Sequence, residues 1–243
     1  NYLSPDFRKQ SHDFTAQWLA RVEAVGEEGL EGQDLLSYRI FVRNARDALE
    51  SERYPAWMQP INQFNSPATL VAMLGSGSSA QPFKTVQDYD NWLRRAGQVP
   101  ALFDQAVANM EQGMAAGLVQ PRPLMEKVLP QLDALIRPTA EQTLFWNPIT
   151  NLPAGFSEAE RQRLTADYRR MIEGQLLPAY RRLRQFIAER YLPATRDSVG
   201  LGALPDGAHW YAFSARQSTT TDLTPEQIHQ IGLDEVARIR AQM

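Results

Sequence analysis

Cysteine is absent from the 243 residues, which excludes a disulfide, a thiolate nucleophile and a Cys-ligated zinc. Histidine is scarce. His12, His209 and His229 are the whole supply, and no two fall at the i, i+4 spacing that sets two imidazoles on one helical face for a metal. Positive charge is not in excess: Lys+Arg number 25 against 28 Asp+Glu, a net charge of -3, so nucleic acid is not an expected partner. No uninterrupted apolar run approaches the roughly 18 residues of a membrane-spanning helix, and no span is expected. Residues Asn1 to Gln10 carry no initiator Met, basic n-region or apolar h-region, and the chain holds no fixed-period repeat or low-complexity tract.

What the sequence does have is helical periodicity almost throughout. Phe14, Trp18, Val22 and Val25 trace one helix. After a Gly26/Gly29/Gly32 break, Leu35, Tyr38, Val42, Ala45 and Leu49 trace a second, antiparallel to the first. Tyr54 to Gln81 carries Pro55, Pro60, Pro67, Gly75 and Gly77, which predicts irregular structure with at most a short helix. Thr85 with Asp88 predicts an N-cap for a helix through Tyr89, Trp92, Ala96, Phe103, Val107, Met110 and Met114. That helix should bend or split at Pro100 and stop at Gly117. A further helix opens near Pro123, with Leu124, Val128, Leu132 and Leu135 on one face.

Arg137 to Phe156 reads as a loop, with Pro138, Pro148, Pro153 and Gly155, and is the best candidate for a subdomain break. Ser157 and Glu160 form a capping box for a long helix through Leu164, Tyr168, Met171, Leu176, Tyr180, Leu183 and Ile187, perturbed at Pro178 and closed before Pro193. The next helix spans roughly His209 to Arg216. The last helix has Thr224, Pro225 and Gln227 as its start and no stop signal before Met243, so the polypeptide is expected to continue. The expected fold is all-α: an irregular multi-helix assembly with long kinked amphipathic helices and Pro/Gly-rich loops, divided into residues 1–137 and 138–243.

Candidate chemistry is sparse. Gly75-Ser76-Gly77-Ser78-Ser79-Ala80 comes after an apolar run and matches a dinucleotide fingerprint in letters only, because Pro82 interrupts the turn that should become a phosphate-facing helix. A surface loop is the expectation there. Arg161 to Arg190 is rich in arginine, but Glu158, Glu160, Asp167, Glu173 and Glu189 are interspersed, as on any solvated amphipathic face. Neighbouring carboxylates such as Glu27 and Glu28 diverge on a helix and offer no two-carboxylate mechanism. His209-Trp210-Tyr211 with Arg216 is the one cluster of interest, grouping an imidazole, two aromatics and a guanidinium on adjacent turns. It could line a ligand cleft, but a helical core with its polar ends satisfied is the reading that carries more weight.

Several stretches together resemble a known bacterial family. They are Pro60-Ile61-Asn62-Gln63, Asp88-Tyr89-Asp90-Asn91-Trp92-Leu93-Arg94-Arg95, Gly113 to Gly117, Pro178-Ala179-Tyr180-Arg181-Arg182-Leu183, Gly200 to Tyr211, Ser218 to His229 and Ile231 to Ile239. The family is the one called domain of unknown function 885, and the resemblance covers nearly the whole chain in the order of that family's N-terminal part. It implies a longer protein whose second half carries a His-Glu-x-x-His zinc helix, similar to helical metallopeptidases. There, two histidines and a downstream glutamate would hold zinc while the motif glutamate activates its water. This chain contains no His-Glu-x-x-His, so neither zinc ligands nor a general base carry over to any residue here. Where the family usually shows two tyrosines, this chain has Trp210-Tyr211, which keeps the aromatic character and loses one hydroxyl.

On this reading the chain is the N-terminal helical part of a zinc-dependent peptidase-like hydrolase. It is expected to be inactive and cofactor-free by itself and to wall part of a peptide cleft, with Trp210, Tyr211 and Arg216 as substrate-adjacent residues. Its expected partner is its own C-terminal region, with zinc held by the longer protein. The alternative is a stand-alone helical binding or scaffold module. A bacterial cytoplasmic location and an exported one with its signal peptide removed both fit.

Overall fold

A computed structural model describes residues 1–243 and is all-α. Its single extended pairing is an isolated parallel bridge between Pro121 and Arg196. The helices are α1 (Pro5–Glu23), α2 (Gly32–Ser51), α3 (Pro67–Gly75), α4 (Val86–Ala96), α5 (Val99–Ala115), α6 (Arg122–Leu135), α7 (Asn147–Thr150), α8 (Glu158–Met171), α9 (Leu177–Phe186), α10 (Gly207–Thr219) and α11 (Pro225–Gln242). Two wide π turns, Ile172–Leu176 and Ile187–Tyr191, flank α9. None of the helices is long and apolar enough to cross a membrane.

Local sequence accounts for most of these limits. Thr85/Asp88, Ser157/Glu160 and Thr224/Gln227 all make reciprocal capping boxes, each satisfying two amide donors that a helix start leaves open. The break expected at Pro100 falls at Gly97 and Gln98, and Pro100 sits in the first turn of α5, where its missing N–H costs nothing. Gly117, at φ 70°, ends that helix in a conformation that residues with a Cβ adopt reluctantly.

The chain divides into two compact units, neither continuous in sequence: residues 1–7 with 56–197, and residues 8–55 with 198–243. The boundary expected at 137/138 therefore lies within the first unit. The Arg137–Phe156 loop folds into short turns that carry Ala140, Phe145, Trp146 and Ile149 into the core. There the Thr143 hydroxyl donates to the Ala140 carbonyl oxygen at 2.7 Å.

The first unit contains the hydrophobic core, which runs from Ile61 to Tyr191. Phenols are fastened inside it. Tyr180 donates to the Ala68 carbonyl oxygen at 2.6 Å, Tyr89 to that of Pro148 at 3.0 Å, and Tyr191 accepts from the Gln120 amide at 3.0 Å. Burial pushes the Tyr89 phenol up to about 12, so it remains a protonated donor at neutral pH.

The second unit is a helical hairpin, α1 and α2, with α10 and α11. Ion pairs join the hairpin: Arg46 with Glu23 at 2.5 Å, Arg39 with Glu27 at 2.8 Å, and His12 with Glu52 at 2.7 Å. Its buried side chains are few, chiefly Val42, Ala45, Tyr54, Leu204 and Phe213. No residue of α11 is buried, although Ile231, Val236 and Ile239 keep the apolar stripe seen in its sequence.

Candidate functional site

One concavity of the second unit is built around α10. That helix begins on strained backbone: Asp206 is left-handed at φ 54°, and Gly207 packs so tightly on the turn Leu201–Ala203 that any Cβ there would collide with the Leu201 carbonyl oxygen. Asp206 Oδ1 lies 2.5 Å from His209 Nδ1, one turn into the helix. The other end is left-handed too, with Thr220 at φ 61° returning its N–H to the Arg216 carbonyl oxygen. Arg43 of α2 completes this end by donating to the carbonyl oxygens of Arg216 and Thr220 at 3.3 and 3.4 Å, a cation placed where the helix dipole is negative.

Tyr54, just beyond α2, provides the apolar floor. Its ring stacks on Trp210 with centroids 5.7 Å apart and an 18° interplanar angle, and tilts against Phe213 at 5.2 Å, while its hydroxyl donates to the His209 carbonyl oxygen at 3.3 Å. Arg216 lies over Phe213, 5.5 Å from the ring centroid, and donates to Glu50 Oε2 at 2.5 Å. That hydrogen bond raises the guanidinium pKa still further, fixing its charge.

The resulting cleft has a volume of about 670 Å³ and is lined among others by Glu50, Arg53, Tyr54, His209, Phe213, Arg216 and Asp222. A second cleft of about 490 Å³, lined by Arg39, Arg43, Arg46 and Asp47, shares Glu50, Arg216 and Asp222 with it. The Glu50–Arg216 pair therefore belongs to the wall common to both. Arg216 is neutralised by Glu50 and His209 faces Asp206, whereas Arg53 and Asp222 line the cleft without an ion-pair partner.

Of the three residues singled out in the sequence, Arg216 lines both clefts. Trp210 backs the floor through Tyr54, and Tyr211 is half exposed outside either lining. Glu50, Arg53, Tyr54 and Asp222 complete the site and were not marked in the sequence. Tyr54 had a visible signal, an aromatic at the end of an amphipathic helix immediately before Pro55. Glu50 had none, since its partner is 166 residues away.

Three donors are needed before a protein can hold zinc in a structural or catalytic site. No group of three His, Asp or Glu side chains here is placed to hold a metal. Nor does Gly75 to Ala80 make a phosphate cradle. Gly75 ends α3, Ser76 and Ser78 join hydroxyls at 2.9 Å, and Gly77 turns at φ 82° against Pro148 without opening a helix.

Comparison with known proteins places the chain beside a family and a solved structure. The profile of a family described as "Bacterial protein of unknown function (DUF885)" matches residues 1–243. Among solved structures, one described as "The crystal structure of the putative lipoprotein from Colwellia psychrerythraea" is similar over 93% of this chain, with a TM-score of 0.77 and 23% identity. The chain spans 41% of that structure's length, and the likeness is one of fold. No curated protein matches.

Proposed function

The chain belongs to the DUF885 family of bacterial proteins, and from that membership we propose that it is the N-terminal helical part of a longer zinc-dependent, peptidase-like hydrolase. In this reading the Glu50–Arg216 cleft is part of the substrate-binding wall, and the zinc chemistry resides in a C-terminal region that is the chain's partner. The observation that carries it is the cleft itself. An aromatic floor is combined with a cation, Arg53, and an anion, Asp222, neither held in a direct ion pair, an arrangement suited to a peptide, which brings apolar side chains and opposite terminal charges. Arg216 faces the cleft, Trp210 sets the angle of Tyr54, and Tyr211 presents an exposed ring on the same helix outside the lining.

The 243-residue chain should retain no stoichiometric zinc after dialysis and hydrolyse no peptide; zinc or activity that co-purifies with it would overturn the proposal. In the longer protein, Arg53→Ala should raise KM about tenfold with little change in kcat, as expected when a charge-assisted contact to bound substrate is lost. Trp210→Ala and Tyr211→Ala should lower turnover without loss of zinc. Unfolding in place of either effect would assign those rings to packing alone.

One observation favours a second reading, a stand-alone helical binding or scaffold module. Phe14 and Trp18 of α1 and Ile231, Val236 and Ile239 of α11 form apolar faces that the second unit does not bury. The gene beyond Met243 separates the two readings: an in-frame His-Glu-x-x-His favours the hydrolase, a stop codon the module.

A further inference from the structure

Helix α10 is held unevenly along its length. Its first turn is locked, because Gly207 packs on the turn Leu201–Ala203 with no room for a Cβ and Leu204, just before it, is buried. Asp206, at φ 54°, is of a residue type that visits the left-handed region more readily than most. Phe213, against Tyr54, is the last buried side chain of the helix. From Ser214 onward α10 buries nothing, and the contacts that tie this end to α2 are polar. Arg216 meets Glu50 at 2.5 Å, and Arg43 reaches the carbonyl oxygens of Arg216 and Thr220 at 3.3 and 3.4 Å, long for hydrogen bonds. Both members of the ion pair are open to water, 38% and 34% exposed, and such a pair is a weak tie.

The same end is strained. Thr220 closes the helix at φ 61°, where a β-branched side chain crowds its own backbone and glycine or asparagine is the usual occupant. Relief of that strain favours departure of the helix end from its place on α2, while the ion pair and Arg43 oppose it. Two small effects of opposite sign therefore meet at one point. Beyond Thr220 the chain leads to Asp222, which lines both clefts, and to Leu223, Thr224 and Pro225, which line the first. Movement at Thr220 reshapes both linings.

We propose that the end of α10 from Ser214 to Thr220 is a latched gate between the two clefts. The Glu50–Arg216 pair is the latch, Gly207 the fixed end and Thr220 the sprung one. Closed, the pair stands in the wall common to both clefts; parted, it joins them, and an extended ligand can then lie across both. That the clefts take a ligand rests on the reading proposed above, whereas the gate is a property of this chain and is tested without one.

The lack of cysteine permits a clean distance measurement in the 243-residue chain. Nitroxide labels on Asn44→Cys and Ser218→Cys, both exposed and outside either lining, are read by pulsed electron resonance. The distribution should hold a main short distance and a minor longer one. Glu50→Gln should raise the longer population about threefold, and Thr220→Gly, which removes the strain, should lower it by a similar factor. Distances unmoved by either variant, or moved in the same direction by both, would overturn the gate. Glu27→Gln, which breaks the hairpin's pair with Arg39, is the control: an equal shift there would assign the movement to the hairpin as a whole and overturn the gate too. The longer protein separates this proposal from the hydrolase reading. Responsive distances without peptide hydrolysis would strike the hydrolase and leave the gate; hydrolysis with unresponsive distances would strike the gate alone.

Discussion

The two units hold themselves together by different means. In the first, aromatic and aliphatic side chains from α3 to the turn after α9 bury one another, and the phenols of Tyr89, Tyr180 and Tyr191 reach backbone groups across 59 to 112 residues. The second buries few apolar side chains and ties α1 to α2, and α2 to α10, mainly through arginine–carboxylate pairs that are partly open to solvent. Burial contributes about 25 cal/mol per Å² and is little affected by salt, whereas an exposed ion pair contributes about 0–1 kcal/mol and is screened. The first unit, which also carries surface ion pairs, thus draws on burial far more than the second does.

The largest test of this contrast is Phe145→Ala. Removing a fully buried ring should destabilise the first unit by about 3–5 kcal/mol and leave hydrogen exchange in α10 unchanged. An equal loss of protection in both units would break the comparison. Gly207→Ala comes next. The collision with the Leu201 carbonyl oxygen should destabilise the start of α10 by about 1–3 kcal/mol, read as faster exchange there, with the first unit unaltered.

The smallest effect is electrostatic. The hydrogen bond from Arg39 lowers the Glu27 pKa below its ordinary value of 4.5, so the pair's contribution is present above that value and is lost as pH falls through the depressed one. Added salt and acid should both loosen the α1–α2 hairpin, and Glu27→Gln should remove part of its acid sensitivity, seen as a smaller pH dependence of its urea midpoint. A first unit equally sensitive to salt would erase the distinction.

The all-α class and the helix starts were legible because they rest on short-range chemistry. A Thr or Ser with Asp, Glu or Gln three residues later meets the same amide geometry wherever it occurs. Burial of irregular backbone was not legible. Four breakers between Arg137 and Phe156 announce a loop, but nothing local says that Phe145 and Trp146 will carry it into the core. The cleft was half readable. Arg216 stood out, yet Trp210 and Tyr211, adjacent in sequence, point about 100° apart on a helix. One therefore backs Tyr54 while the other faces solvent.

The π turns at Ile172–Leu176 and Ile187–Tyr191 have a geometric role in the long helical run from Glu158 to Tyr191. At 3.6 residues per turn, Leu164 and Tyr168 would share a bearing, but Tyr180 would sit about 120° round from Tyr168 and Tyr191 further still. Each wide turn absorbs one surplus residue and rotates the downstream helix back by roughly 100°. Leu164, Tyr168, Tyr180, Leu183, Ile187 and Tyr191 then all lie in the core. The run works like a shaft with clutch plates, its two straight rods, α8 and α9, re-phased to one bearing. Deleting a single residue at Gly174, where there is open space around the Cα, should convert a turn back to regular α-helix and swing Tyr180 away from Ala68.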